Sequence, residues 1–155
     1  MKNAILFSFF ALFSCTTFAQ NTWNGGTPGH EADWMEARNW SQQRVPGWND
    51  NVVIPHLWHN NYPEIRTAVP AIAHLEVEGG ARLAIKADGY LPINGSSTFN
   101  SGILLTGKIH NEGVLAITHT AQSAVDGNLA NLAMQNNGRF TSDDQQSAYA
   151  YNGRR

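Results

Sequence analysis

Two histidines three residues apart, His56 and His59, have a spacing that could bind a metal ion. On a helix this spacing can grip zinc. Here the pair follows a proline and precedes two asparagines, which predicts a loop, and Glu64 is the nearest further ligand. A similarly incomplete set is formed by His30, Glu31 and Asp33. We therefore interpret these histidines as surface residues and predict neither a metal site nor a cofactor.

Asp50, between Asn49 and Asn51, carries oxygen ligands of the kind that calcium prefers. Calcium takes about six to eight oxygens, and one aspartate with two asparagines is a thin supply. The alternative is an Asx-turn that leads into the strand Val52-Val53-Ile54. We favour the Asx-turn and a structural role for Asp50.

Catalytic motifs do not stand out in the chain. It contains no Gly-x-Ser-x-Gly, no glycine-rich phosphate loop and no His-Glu-x-x-His. Glu76 and Glu78 should share one face of a strand, as a carboxylate pair for glycoside hydrolysis would. Because Leu75 and Val77 alternate with them, we interpret the glutamates as the solvated side of an amphipathic strand. We predict no catalytic residues and a protein that is not an enzyme.

All five tryptophans fall within residues 23–58. Aromatic rings can stack on the apolar faces of sugars, as they anchor other interfaces. Trp48 and Trp58 stand beside polar residues, so they are candidate binding rings, together with Tyr62. The remaining rings are expected to plug one end of the fold, where a repeat protein needs a cap. The predicted structural cap contains Trp23, Trp34, Trp40 and Asp50.

The elements that must position these residues follow a repeat. Leu75-Glu76-Val77, Leu83-Ala84-Ile85 and Leu91-Pro92-Ile93 begin eight residues apart. In each, two apolar residues flank one that points away, as a strand requires, and glycine-containing corners separate them. Hairpins can use the same turn signals. We favour a β-solenoid, in which three strands and their corners make a coil of about 24 residues, so that Phe99 stacks over Leu75.

A second repeat supports stacked coils. Asn-x-Gly or Asn-Asn-Gly followed by apolar residues recurs within 99–104, 110–115 and 135–140. Residues 121–131 interrupt the pattern, as a loop or a short helical turn. We predict an all-β fold of roughly three coils with a Trp-rich N-terminal cap, about the minimum for a stable repeat array.

The first residues predict export. Lys2 precedes the apolar run 4–13, which is too short for a permanent membrane helix, and signal cleavage is expected after Ala19. A lipoprotein signal with Cys15 acylated is the alternative. Cys15 is the only cysteine, so the mature chain would have no disulfide.

Composition narrows the partners. The formal net charge is −2, and the chain has no basic patch, which argues against nucleic acid. No later apolar run is long enough to span a membrane. The predicted organisation is a signal peptide at 1–19, the Trp-rich cap and first strands at 20–67, solenoid coils at 68–141 and a polar, disordered tail at 142–155.

The order of these motifs resembles a known class of protein. The residues that carry the resemblance, within 22–117, are Trp23-Asn24-Gly25, Trp34, Asn39-Trp40, Val45-Pro46, Asp50, Val52-x-Ile54-Pro55, Pro63-x-Ile65, Leu75-x-Val77-x-x-Gly80-Ala81-x-Leu83-x-Ile85, Asn94-Gly95 and the Asn-x-Gly units. They are similar to the start and first coils of secreted β-helical, adhesin-like repeat proteins of Bacteroidetes, many of which use type IX secretion. The resemblance implies a right-handed parallel β-helix, secreted or at the cell surface, that binds polysaccharide or a cell-envelope protein.

The chain also departs from that class. Its members are usually longer and often end in a C-terminal sorting domain, for which no segment remains after residue 141. We therefore expect either a periplasmic or surface protein exported by another route, or a truncated product with an uncapped last coil. Fold analogy leaves two alternatives open: a fragment of a β-helical polysaccharide lyase or hydrolase, and a non-functional remnant of a longer adhesin.

Overall fold

The computed structural model describes residues 19–95, 101–118, 123–127 and 134–142. Within these residues the only helical element is a 3-10 turn, Ala37–Asn39. No described helix is long and apolar enough to cross a membrane. The strands are β1 (Ala19–Thr22), β2 (Asp50–Ile54), β3 (Glu64–Ile65), β4 (His74–Val77), β5 (Arg82–Ile85), β6 (Tyr90–Ile93), β7 (Ser101–Leu105), β8 (Lys108–Asn111), β9 (Val114–Ile117), β10 (Ser123–Gly127), β11 (Met134–Asn136) and β12 (Arg139–Ser142).

The strands form three parallel sheets, which confirms the all-β prediction. The first sheet has the order β1-β2-β4-β7-β10, the second β11-β8-β5-β3 and the third β12-β9-β6. The chain therefore visits the first, second and third sheets in turn, and the described residues contain three full circuits, β4–β6, β7–β9 and β10–β12. Strands β2 and β3, with bridges from Ala68 and Ile72 to β6, form an earlier circuit.

The three repeats that begin with Leu75, Leu83 and Leu91 lie on three different sheets. Leu75 lies on β4, Leu83 on β5 and Leu91 on β6, so eight residues make one strand and one corner. Leu83 pairs with Ile109, and Leu91 pairs with Leu115. Apolar residues of successive circuits therefore stack inside the fold.

The predicted stacking of Phe99 over Leu75 is wrong. Leu75 pairs instead with Ile103, which lies four residues after Phe99 in the chain. The connection between β6 and β7 is longer than an eight-residue beat allows, and it shifts the next circuit. Phe99 itself lies outside the described residues.

Alternating burial follows the period-2 pattern of the strands. In β5, Leu83 and Ile85 are buried while Arg82 is exposed, and β6 and β8 have the same pattern. Each fully buried aliphatic side chain stabilises the fold by about 1.5–3 kcal/mol. The core is thus a column of aliphatic side chains between the three sheets.

The tryptophan-containing segment joins this same core. Trp23, Trp34 and Trp40 are fully buried, with Trp40 edge-on to Trp23 at 4.9 Å and to Trp34 at 4.7 Å between ring centroids. The indole N–H of Trp40 donates to the carbonyl of Trp34 at 2.8 Å. Strand β1 pairs with β2, and Asp33 bridges to β3, so this segment covers the starting edges of two sheets.

Candidate functional site

The most exposed aromatic ring in the described residues belongs to Trp58. Its side chain is 90% exposed, and it lies in the loop of residues 55–61 that follows β2, which we call the Trp58 loop. Trp48 is 70% exposed and lies just before β2. Both predicted binding rings are therefore open to solvent.

The two rings flank β2 from opposite ends. A five-residue strand spans about 13 Å at about 3.3 Å per residue, and β2 is of that length. Trp48 and Trp58 are therefore attached to the sheet at well-separated points.

The Trp58 loop is fixed from below. The backbone N–H of Leu57 donates to the hydroxyl of Tyr62 at 3.0 Å, and that hydroxyl donates to the carbonyl of Gly80 at 3.1 Å. The ring of His56 meets that of Trp58 edge-on at 5.6 Å between centroids. Leu57 packs against the core. The exposed indole is thus carried by a loop with several anchors.

Gly80 makes room for this loop. Its φ of +85° is left-handed, and a Cβ there would lie 2.7 Å from Nδ1 of His56. The glycine corner between β4 and β5 therefore also provides the space against which the His56 ring packs. Sequence analysis identified Gly80 only as a turn residue.

Tyr62 requires a correction. We expected it as a binding ring, but it is only 5% exposed. Its hydroxyl supports the Trp58 loop, and its ring lies 5.2 Å below the guanidinium of Arg82. A ligand cannot stack on this ring, because protein already covers it.

Asp50 is buried, and its carboxylate is fully engaged. It accepts from the Arg44 guanidinium, with 2.6 Å between Nη2 and Oδ1, and from the backbone N–H of Gly47 at 2.7 Å. The contact to Gly47 runs backward along the chain, so the predicted forward Asx-turn is wrong, although the carboxylate does fix the start of β2. Arg44 and Gly47 thus already donate hydrogen bonds to the two oxygens of this carboxylate, which supports a structural role for Asp50.

The histidine sets do not converge on a metal site. Nδ1 of His59 accepts from the N–H of Asn61 at 3.3 Å, whereas His56 is packed against Trp58 and Gly80. Nδ1 of His30 lies 3.5 Å from Asp33, and Glu31 accepts from Gly29. The Gly29 N–H lowers the pKa of Glu31. Across the described ranges, no three His, Cys, Asp or Glu side chains group as metal ligands.

Those N-terminal residues line an open depression of about 480 Å³. On its far wall, Glu64 forms an ion pair with Arg66 at 2.6 Å and approaches Lys86 at 3.7 Å. The depression therefore carries charges of both signs, and its Glu64 carboxylate is already paired.

The outer face of the second sheet carries a row of residues that are polar except for one alanine. Glu64, Ala84, His110 and Gln135 occupy equivalent positions on four strands. The ring nitrogens of His110 lie 3.0 Å from Gln135 Oε1 and 2.9 Å from Glu112 Oε1. The bond with His110 lowers the pKa of Glu112.

Beside this row, Arg82 on β5 pairs directly with Lys108 on β8. Both side chains are exposed, and they line two adjoining depressions of about 340 and 320 Å³. Sequence analysis missed this pair. The alternating pattern of each strand indicates that both side chains face outward. It does not show that they meet, because the number of residues between paired positions varies from circuit to circuit.

Glu76 on β4 and Glu78 just after its end are both partly exposed, while Leu75 and Val77 are fully buried. This agrees with the expected amphipathic strand.

Comparison with known proteins gives a family and no closer relative. No curated protein and no solved structure matches the chain significantly. The model of one family, described as Domain of unknown function (DUF8693), matches residues 22–152, which include the Trp-rich segment and every described strand from β2 onward. The chain therefore belongs to the DUF8693 family.

Proposed function

We propose that this protein is an exported, non-catalytic binding module for glycans, built as a right-handed parallel β-helix with a Trp-rich N-terminal cap. Trp58 carries the proposal, because it is a large ring, 90% exposed, on a loop that the rest of the fold holds in place. A pre-positioned ring loses little conformational entropy on binding. Trp48 supplies a second, weaker contact.

The architecture is supported by the order of the sheets. The chain passes through three parallel sheets in a fixed sequence, which is what a β-solenoid requires. Right-handedness follows from the strong preference for right-handed crossovers between parallel strands. Burial of Trp23, Trp34 and Trp40 against the starting edges of the sheets supports the role of a cap.

Export is proposed from the first residues. Lys2, a short apolar run and the small residues before Gln20 form a signal sequence that is cleaved after Ala19. Cleavage there would leave Gln20 at the start of the shortened β1. We place the mature protein outside the cell or on its surface, in keeping with the adhesin-like proteins of Bacteroidetes that it resembles.

The test is a glycan array probed with residues 20–155. We expect affinity to fall at least about tenfold in Trp58→Ala and less in Trp48→Ala, because truncation of a central aromatic anchor costs about 2 kcal/mol or more. Trp58→Tyr keeps a ring and should retain most of the affinity. Met35→Ala, at an apolar side chain that is 45% exposed, is the matched control and should bind normally.

Two results would overturn this proposal. One is a folded wild-type protein that binds no glycan on the array. The other is a set of glycans bound equally by wild type, Trp58→Ala and Trp48→Ala. Circular dichroism of each variant shows whether it is folded.

A lyase or hydrolase fragment is the competing class. Such chemistry needs an acid or base free to react, and the second sheet does carry charges of both signs. Its carboxylates are paired, however: Glu64 with Arg66, and Glu112 with His110. We therefore favour binding, and we expect no new reducing ends or unsaturated products when the protein is incubated with the glycans it binds.

A further inference from the structure

Arg82 and Lys108 meet at equivalent positions of adjacent parallel strands. Neighbouring strands lie about 4.8 Å apart, so the two cationic side chains leave the sheet side by side. Like charges directly opposite each other destabilise a sheet. This pair, which we call the basic pair, therefore costs the fold stability unless something neutralises it.

No carboxylate in the part of the chain that the structure describes forms an ion pair with the basic pair. Glu64, which lines the same depression as the basic pair, is held by Arg66 and Lys86 instead. Glu78, at the corner before β5, pairs with neither cation.

Arg82 is held in position although it is exposed. Its Nη2 donates to the side-chain oxygen of Asn60 at 3.2 Å, and its guanidinium lies over the ring of Tyr62 at 5.2 Å. These contacts leave most of its N–H groups free, since a guanidinium carries five. A fixed guanidinium with free donors suits a planar carboxylate, which it can bind through two hydrogen bonds.

The basic pair is contiguous with the Trp58 loop. Asn60 belongs to that loop, and Tyr62 supports both the loop and Arg82. The two depressions beside the pair include Tyr62 on one side and Gly80 on the other. The loop that carries Trp58 therefore contacts one cation of the basic pair directly, through Asn60.

We propose that the basic pair binds the carboxylate groups of an acidic polysaccharide whose neighbouring sugar stacks on Trp58. The inference rests on the proposed glycan-binding function and names the substrate class of that site. The basic pair is a cluster of only two cations on a chain of formal net charge −2. Such a small cluster suits a polymer that carries single charges at regular intervals. Nucleic acid is a poorer ligand, because its binding needs many more phosphate contacts.

The test compares two forms of one polymer. Residues 20–155 are titrated by calorimetry with polygalacturonate oligomers and with the same oligomers fully methyl-esterified, which removes the charge and keeps the sugars. We expect the charged form to bind at least about tenfold more tightly. Its affinity should fall as salt is raised, whereas that of the ester should not.

Variants separate the inference from the proposed function. Arg82→Gln with Lys108→Gln should lower affinity for the charged oligomer to that of the ester, while Trp58→Ala should weaken both. Arg139→Gln, an exposed cation on the third sheet, is the matched control and should change neither.

The possible outcomes are distinct. If the double variant binds both oligomers like wild type, or if neither oligomer binds to wild type, the inference is wrong, and the array still decides the proposed function. If the double variant weakens binding and Trp58→Ala does not, the stacking of the sugar on Trp58 is wrong and the inference fails as stated, while the array with both tryptophan variants still decides the proposed function. Equal affinity for a single-stranded DNA oligomer would also overturn the choice of ligand.

Discussion

A single buried carboxylate sets the place where the first long strand begins. Asp50 bonds to the N–H of Gly47, and the Asp50 N–H returns a bond to the Gly47 carbonyl at 2.9 Å. Arg44 covers the same carboxylate from the solvent side. The reciprocal bonds close the turn just before β2, and they hold exposed Trp48 within it.

Replacing this carboxylate should destabilise the fold. Asp50→Asn keeps the shape but removes the charge, and we expect the free energy of unfolding to fall by about 1–2 kcal/mol, since hydrogen bonds to charged groups are the stronger ones. Urea unfolding followed by circular dichroism measures this. Glu36→Gln weakens the exposed pair with Arg38, at 2.8 Å, and should cost less. Equal losses in both variants would contradict the role assigned to Asp50.

The partnership of Glu112 and His110 gives a pH prediction. The bond with His110 lowers the pKa of Glu112, so any stability from this pair is present above the ordinary carboxylate pKa and is lost as pH falls through the lowered value. His110→Gln should raise the pKa of Glu112 toward its ordinary value.

NMR titration of the Glu112 side-chain carbonyl measures this change. The pKa of Glu31, which is lowered by a backbone N–H of Gly29 instead, should be the same in both proteins. An unchanged Glu112 pKa in the variant would show that His110 is not its main partner.

Sequence analysis predicted the exposure of Trp48 and Trp58 correctly and that of Tyr62 incorrectly. Polar neighbours distinguished Trp48 and Trp58 from the buried rings because local composition follows exposure along a loop. Tyr62 also has polar neighbours, yet it is buried, because Arg82 from a later strand covers it. Contacts between residues far apart in the chain leave no local signal, and the basic pair escaped prediction for the same reason.

At the scale of elements, stacked glycines let successive corners approach closely. A Cβ at Gly113 would overlap the carbonyl oxygen of Gly89, and one at Gly138 would overlap that of Gly113. The N–H of Val114 bonds to the Gly89 carbonyl at 2.9 Å, so the corner continues the ladder of the strands. The backbones at this corner thus pack without side chains between them.

A methyl group in this column should be costly. We expect Gly113→Ala to lower the free energy of unfolding by about 1–3 kcal/mol or more, because a rigid backbone must move to admit it. Gly79→Ala is the matched control, since nothing lies within 4 Å of its added Cβ. Thermal unfolding of both proteins gives the comparison, and equal midpoints would show that the corner yields easily.

The sequence predicted the strands of the leucine repeats better than their pairing. The loop or helical turn expected at 121–131 is wrong for residues 123–127, which form β10 and pair with β7. The alternation of apolar and outward-facing residues within each leucine repeat identified β4, β5 and β6, because a strand that is buried on one face requires this pattern. It did not give the partner of Leu75, because paired positions of the three full circuits lie 22 to 28 residues apart, as for Ile103 with Val125 and Leu75 with Ile103. Corner lengths vary freely on the surface, so a fixed period does not survive a full circuit.

At the scale of the whole molecule, each circuit contacts mainly the circuits on either side. Strand β8 has neighbours on both sides, whereas β12 is at the edge of its described sheet. Stability in such arrays is a sum of neighbouring interfaces, so edge circuits open first.

Hydrogen exchange should reveal this gradient. We expect amides of residues 108–117 to exchange more slowly than those of 134–142 under native conditions, because only the former are held between two circuits. Mass spectrometry of peptic peptides resolves the two segments. Uniform protection would mean that the molecule opens as one cooperative unit instead.

The five tryptophan side chains fall into a buried group and an exposed group, which has a consequence for the fluorescence of the protein. Three are fully shielded and in edge contact, while two stand 70% and 90% exposed. Fluorescence should therefore contain two populations, of which iodide quenches only the outer one, while the coupled inner rings dominate the near-ultraviolet dichroism. The unlabelled protein thus carries separate reporters for its interior and for its outward-facing surface.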